Sequence, residues 1–278
     1  MESVSFRGGS APALGFGTWQ MTGDDCREGV EHALSLGYRH VDTAQVYENE
    51  REVGRALDNA AVDRDEVFLT TKVWRTNLER RSVLRSTEKS LERLGTDYVD
   101  LLLIHWPVPE VPVEETLDAM MELKRQGKTR FLGLSNFTPD QVEEGLDHAP
   151  VAANQVEYHP FLSQDGVLEV ARDHDMMVTA YSPLARGRVA DSEVLQEIGR
   201  HHAKAPAQVA LRWLVQQENV AAIPKASSAD HRRENLEIFD FELSGDEVDR
   251  IDDLRRGERL IDPGFAPEWE EGRVMNYE

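Results

Sequence analysis

Short apolar runs of β character alternate with longer segments of helical spacing along the whole chain. Candidate strands are Leu14–Trp19, His40–Thr43, Val67–Val73, Asp100–Trp106, Phe131–Asn136, Ala153–Tyr158, Met177–Pro183 and Val220–Lys225. Between them, Val83, Leu84, Thr87, Leu91 and Leu94 fall on one face of a helix over Leu78–Leu94. Glu114–Lys124 reads as another helix, running to Gly127 as a C-terminal cap. Successive strands start roughly 20 to 45 residues apart, the spacing of βα units rather than hairpins. Eight such units predict an α/β fold, a closed (β/α)8 TIM barrel, with an open doubly wound sheet as the alternative. Arg7-Gly8-Gly9-Ser10 signals a turn, so a short N-terminal hairpin is expected at the barrel's bottom. Ser244–Arg255 predicts an extra C-terminal helix. The aperiodic stretch Leu260–Glu278, with Pro263, Gly264 and Pro267, predicts a loop that either folds over a site or frays. No linker or composition shift divides residues 1–278, which are read as one barrel domain.

Composition narrows the function classes. No stretch approaches the roughly 18 uninterrupted apolar residues of a membrane helix, and Met1-Glu2-Ser3 opens no signal peptide, so a cytoplasmic protein is expected. A single cysteine, Cys26, permits no internal disulfide. Against 52 Asp and Glu stand 31 Lys and Arg, only 6 of them lysine, for a net charge of −21. Such a balance argues against nucleic-acid partners and anionic membrane surfaces. The acids are dispersed rather than confined to a tail: Asp24-Asp25, Glu114-Glu115, Glu143-Glu144 and Asp252-Asp253 span the chain. Acid-rich, lysine-poor composition on a patterned chain points to a halophilic, salt-accumulating origin, with a merely acidic mesophilic protein as the alternative.

Several familiar chemistries are missing. Gly15-Phe16-Gly17-Thr18-Trp19-Gln20 starts like a dinucleotide fingerprint but carries Gln20 in place of the last glycine. No P-loop, HExxH or CxxC occurs, and His201-His202 lies in a polar helical stretch, so no metal site is expected.

Polar residues do stand out at the ends of the second, third and fourth strands. Asp42, Lys72 and His105 each close an apolar run, and Tyr47 follows just downstream of the first. In a barrel those strand ends share the rim that carries active sites. Singly, each has a plain structural explanation: a helix cap, a solvated lysine, a core histidine. Together they suit carbonyl chemistry. A phenol of ordinary pKa about 10 is a poor acid near neutrality, and a neighbouring ammonium is expected to lower it. Lys72 supplies that charge, Asp42 aims it, and His105 orients a carbonyl oxygen toward Tyr47. With no metal ligands and no Ser or Cys nucleophile in the set, reduction by a hydride-donating cofactor is the matching reaction.

The chain resembles the aldo-keto reductase family over nearly its whole length, in bacterial or archaeal form similar to the 2,5-diketo-D-gluconic acid reductases. The motifs are GFGTW (15–19), VDTAQVYENE (41–50), TKVW (71–74), IHWP (104–107), GLSNF (133–137), NQVEYHP (154–160), AYSPL (180–184) and IPKASSADHRREN (223–235). The resemblance implies a catalytic tetrad of Asp42, Tyr47, Lys72 and His105, with Tyr47 as proton donor. It places Ser135, Asn136 and Gln155 on a nicotinamide carboxamide, Tyr181 under the nicotinamide ring, and Thr18 and Leu184 along the dinucleotide. Lys225 to Asn235 would clasp adenosine and its 2′-phosphate through Lys225, Ser228, His231, Glu234 and Asn235. Two departures thin that end: Ala226 stands where many relatives have serine, and His231 where many have arginine. Arg232 and Arg233 remain open as substitutes.

The cofactor implied is therefore NADP(H), with NAD(H) as a second. Trp19, Trp74 and Trp106 would line the substrate pocket for a small-molecule carbonyl such as a dicarbonyl or keto sugar. No nucleic-acid or membrane partner is implied, and a monomer is the family default. The alternative is a non-catalytic NAD(P)-binding barrel with a regulatory or structural role, against which the intact tetrad argues.

Overall fold

A computed structural model describes residues 2–269 together with the backbone of 273–274. A hairpin, β1 (Ser3–Phe6) and β2 (Gly9–Pro12), precedes the barrel strands β3 (Phe16–Gly17), β4 (His40–Asp42), β5 (Phe68–Val73), β6 (Val99–Ile104), β7 (Thr129–Ser135), β8 (Val151–Glu157), β9 (Met177–Tyr181) and β10 (Val220–Ala222). All eight pair in parallel and in sequence order from β3 to β10. The last step of closure is a parallel bridge between Leu14 and Ala222, where Gly15 N–H donates to Ala222 O at 2.8 Å and Ala222 N–H to Ala13 O at 2.8 Å. The sheet therefore closes on itself, as the eight-unit pattern predicts, and the open-sheet alternative falls.

Every residue of β5, β6 and β8 is buried. Parallel strands covered on both faces demand such continuous burial, which is why they read as apolar runs rather than alternating ones. The helices α1 (Gly23–Leu36), α2 (Glu50–Asn59), α3 (Arg80–Leu94), α4 (Val113–Arg125), α5 (Pro139–His148) and α6 (Asp165–Asp173) each follow one strand. After β9 the chain makes a 3-10 run over Ala185–Asp191 and two helices, α7 (Glu193–His202) and α8 (Pro206–Val215); α9 (Ala229–Leu236) and α10 (Gly245–Asp252) complete the set. Local chemistry fixes several boundaries. Thr138 and Gln141 form a reciprocal capping box with Pro139 in the first turn of α5, and Gly127, at φ 75°, turns the chain out of α4.

The hairpin plugs the barrel floor. The Phe6 ring meets Phe131 edge-on at 5.0 Å and Phe68 at 6.4 Å. Gly9 makes room for this, since a Cβ there would lie 2.4 Å from Phe131 Cζ. The predicted extra helix is α10, shorter than Ser244–Arg255 at both ends: Ser244 is its N-cap, its hydroxyl accepting from Glu247 N–H, and Asp253 is its C-cap.

Candidate active site

The rim is built from strand ends. Asp42 closes β4, Lys72 sits one residue from the end of β5, and His105 follows β6. Tyr47 is on no strand; it closes a 3-10 turn, Gln45–Tyr47. Two residues the sequence reasoning passed over brace that turn. Gln45 Oε1 accepts from the Trp74 backbone N–H and from Asn77 Nδ2, both at 3.0 Å. Asn49 accepts from Thr43 Oγ1 at 2.7 Å and donates to Thr18 O and Met21 O. Both lie inside the motif 41–50, but apart from Thr43 their partners lie in the segments that follow β3 and β5, which sequence spacing does not reveal.

Lys72 is fully buried, and its three ammonium protons have three acceptors: Asp42 Oδ1 at 2.5 Å, Thr43 O at 2.9 Å and Tyr47 Oη at 3.4 Å. The other Asp42 oxygen accepts from Gln155 Nε2 at 2.8 Å, and the Asp42 backbone oxygen accepts from Thr18 Oγ1 at 2.9 Å. Buried charges survive when paired and hydrogen-bonded in this way. Burial depresses the Lys72 ammonium from its ordinary value, and Asp42 opposes that shift.

For Tyr47 the structure reverses the expectation from sequence. Burial, reinforced by the Asp42 carboxylate, raises the phenol well above its ordinary value. Asp42 largely neutralises the field of Lys72, so desolvation of the phenolate wins. His105 lies edge-on to the Tyr47 ring, with centroids 5.7 Å apart. Burial, with help from Lys72, pushes its imidazole well below the ordinary value, so it is neutral. Its Nδ1 is buried without a partner. An orphaned acceptor costs less than an orphaned N–H here, which places the proton on Nε2 as a neutral donor.

A cleft of about 1230 Å³ opens over these groups. Asp42, Tyr47 and His105 line its floor beside Ser135, Asn136, Gln155 and Tyr181. Trp19, Trp74 and Trp106 form its wall, and Leu184, Lys225, His231, Glu234 and Asn235 line its far arm. Asn136, held at φ 66°, donates through Nδ2 to His105 O and Ser135 Oγ and accepts from Tyr181 Oη at 2.7 Å. Thr18, Lys72 and Ser228 do not line the cleft: Thr18 is spent on Asp42, Lys72 lies beneath Tyr47, and Ser228 caps α9 by accepting from His231 N–H.

The C-terminal stretch folds over the site rather than fraying through its described part. Leu260, Ile261, Asp262 and Pro263 line the cleft. Phe265 meets Trp74 at 6.0 Å and Trp106 at 5.5 Å, Trp269 meets Trp106 at 6.2 Å, and the Arg75 guanidinium covers the Phe265 ring at 4.3 Å. The remainder of the expected loop, 270–272 and 275–278, lies outside the described residues. Among the described residues no cluster of His, Cys, Asp and Glu has a metal-binding arrangement, and no helix is long and apolar enough to cross a membrane.

Comparison with known proteins follows the same outline. A model of the aldo/keto reductase family matches residues 13–256. The chain is 40% identical to methylglyoxal reductase DkgB of Escherichia coli O157:H7 over 265 residues, 93% of this chain and 99% of that one. It is 41% identical to the glyoxal reductase of Bacillus subtilis strain 168 over 252 residues, 90% and 91% of the two chains. A crystal structure provisionally described as a 2,5-diketo-D-gluconic acid reductase B superposes with a TM-score of 0.95 at 47% identity, covering 97% of this chain and 98% of that one. A Bombyx mori aldo-keto reductase in complex with NADP gives 0.87 at 30% identity, covering 94% and 95%.

Proposed function

The chain belongs to the aldo/keto reductase family, whose members use nicotinamide cofactors, and we propose that its cleft reduces small dicarbonyls and keto sugars to alcohols with Tyr47 as proton donor. The observation that carries this reading is the fully satisfied Lys72 ammonium beneath Tyr47, beside a neutral His105, at the floor of one cleft. A bound nicotinamide supplies the hydride.

The chain's own groups do the rest. His105 Nε2–H donates to the carbonyl oxygen and draws it toward Tyr47. As negative charge grows on that oxygen, the Tyr47 hydroxyl gives up its proton, and Lys72 Nζ stabilises the phenolate left behind. Burial keeps Tyr47 protonated at neutral pH, which is the form a donor needs. Asp42, itself held by Gln155, keeps Lys72 in line, so the charge is arranged before the reaction begins.

A hydroxyl and two carboxamides, from Ser135, Asn136 and Gln155, suit the donor and acceptor pattern of a nicotinamide amide, and the flat Tyr181 ring suits stacking. Lys225, His231, Glu234 and Asn235 would meet the adenosine end, with NADP(H) favoured modestly over NAD(H). The three tryptophans leave room for a small substrate, in keeping with the relatives named for methylglyoxal and glyoxal reduction. The direct test is turnover of a carbonyl panel (methylglyoxal, glyoxal, 2,5-diketogluconate, simple aldehydes) with NADPH and with NADH. Oxidation of neither cofactor by any of them would remove the catalytic reading.

A further inference from the structure

Glu157, the last residue of β8, is fully buried on the same rim as the tetrad, yet no step above uses it. Three N–H groups converge on its carboxylate. Leu260 N–H donates to Oε1 and Ile261 N–H to Oε2, each at 2.8 Å. The third comes from His159, which is also fully buried. Phe161 N–H donates to His159 Nδ1 at 3.3 Å, so the imidazole proton is on Nε2, which donates to Glu157 Oε1 at 3.0 Å. Just upstream, Arg256 N–H and Glu258 N–H both donate to Phe161 O. The chain thus leaves the body of the barrel at Glu157 and then crosses the cleft as a strap, 260–269. It is tied to itself by Trp269 Nε1 donating to Asp262 Oδ1 at 2.7 Å, and it lands with Phe265 on Trp74 and Trp106.

We propose that Glu157 is a positioning residue for the carbonyl substrate: by holding the backbone of Leu260 and Ile261 it fixes the strap as a wall of the substrate pocket and so sets substrate affinity. This rests on the reading of the cleft as a reductase site. Glu157 touches neither Tyr47, Lys72 nor His105 by any hydrogen bond shown, so proton donation does not pass through it. A carboxylate accepts all three donors at once. A carboxamide of the same shape cannot, because its NH2 must oppose either Ile261 N–H or the pair from Leu260 and His159. A buried donor left opposed is costly, and the strap, held among the described residues at its far end by ring contacts of Phe265 and Trp269 and by the pairing of backbone 273–274 with 258–259, yields more readily than the barrel strand that carries Glu157.

The experiment compares Glu157→Gln, Ile261→Pro and the double variant in the full-length protein. Ile261→Pro removes one of the same hydrogen bonds from the strap side, and Ile261→Ala, which keeps that N–H, is the control for losing the side chain that lines the cleft. Readouts are KM and kcat for methylglyoxal and for a benzaldehyde, affinity for NADPH by fluorescence, and the rate of limited proteolysis within 260–269. Loss of a hydrogen bond to a charged group predicts KM raised about tenfold or more in each single variant, with kcat and NADPH affinity held within about threefold. Strap cleavage should quicken in both, and the double variant should be no worse than the poorer single, because both act on one link. A kcat loss as large as the kcat/KM loss, or effects that multiply, would make Glu157 a general support of the barrel and overturn the proposal. If Glu157→Gln does not fold, Ile261→Pro decides against its Ile261→Ala control: a KM no higher than the control's overturns the proposal. A wild type that reduces no carbonyl removes the reductase reading itself. An active wild type whose variants keep their KM and an uncut strap removes only the role of Glu157.

Discussion

Arg232 donates its Nε hydrogen to Nδ1 of His32 at 3.0 Å, across the packed helices α9 and α1. Its Nη1 donates to Ala226 O and Ser227 O at 2.9 and 3.0 Å, and its backbone oxygen accepts from Tyr38 Oη. This guanidinium is therefore committed to supporting the segment after Lys225 from behind. Arg233 pairs with Asp230 on the surface. Neither arginine lines the cleft, whereas Lys225 and His231 both do, and in the proposed cofactor site these two would face a 2′-phosphate. A planar guanidinium is the stronger partner for a phosphate. Wild-type enzyme is accordingly expected to use both cofactors with a modest NADPH preference. His231→Arg should raise the ratio of kcat/KM for NADPH over NADH about tenfold to a hundredfold, the worth of one charge-assisted hydrogen bond. A wild-type preference already above about a thousandfold would mean another cation has rebuilt the site.

Tyr47→Phe removes the hydroxyl proposed as proton donor while leaving the ring that lines the cleft in place. Carbonyl reduction should fall by about a hundredfold to ten-thousandfold, the usual share of a positioned acid. Affinity for reduced cofactor should stay within about threefold, since Tyr47 is not among the groups assigned to hold it. Stopped-flow turnover and protein-fluorescence titration read the two separately. Near-normal turnover would exclude Tyr47 as the donor.

What the sequence displayed and what it hid divide along physical lines. Asp42, Lys72 and His105 were legible because each interrupts an apolar run at the same end, and the barrel's parallel register carries equal positions to one rim. The strap was legible only as a loop with two open outcomes, folding over a site or fraying: Phe265 and Trp269 lie in an aperiodic stretch, and their partners Trp74 and Trp106 are more than 150 residues away. The commitment of Arg232 was hidden for the same reason, since His32 and Tyr38 belong to the first βα unit. The expected lowering of the Tyr47 phenol failed differently. Proximity of Lys72 could be inferred from spacing, whereas burial and the sign of the net local field required the packed site.

The barrel floor should make stability sensitive to acid. His40 is buried, donating from Nδ1 to Pro12 O at 3.3 Å while Nε2 has no partner. Burial lowers its imidazole below the ordinary 6.5, and the pull of Asp42 only partly offsets this. His105 is shifted down for the same first reason. Below pH 6.5 the unfolded chain takes up protons that the folded chain refuses, so stability is fully present above that pH and falls as pH drops through the window beneath it. Each such histidine contributes at most about 1.4 kcal/mol per pH unit there. Urea unfolding from pH 7.5 to 5.5 should show this decline, and His40→Gln, which keeps a donor for Pro12, should show a shallower one. An equal slope in both proteins would exclude His40 as a source.

Salt should act in the opposite direction to its usual effect on ion pairs. The net charge of −21 is spread over the outer shell, and Asp24, Asp25, Glu114 and Glu115 lie exposed in the first turns of α1 and α4. Carboxylates there interact well with the helix dipole but repel one another across the surface. The Debye length falls from about 30 Å at 0.01 M to about 3 Å at 1 M ionic strength, so molar KCl removes most of that repulsion. It also weakens exposed pairs such as Arg250–Glu197 and Arg27–Asp24, which are worth about 0–1 kcal/mol each. Repulsion grows with the square of the net charge, whereas each pair acts only locally, so the first effect should win. Tm is expected to rise markedly between 0.01 M and 1 M KCl. Replacing Asp24, Asp25, Glu143 and Glu144 with their amides should raise Tm at low salt and flatten the salt response. A Tm that is flat or falling over this range in the wild type would mean that its acidic surface is not an adaptation to salt.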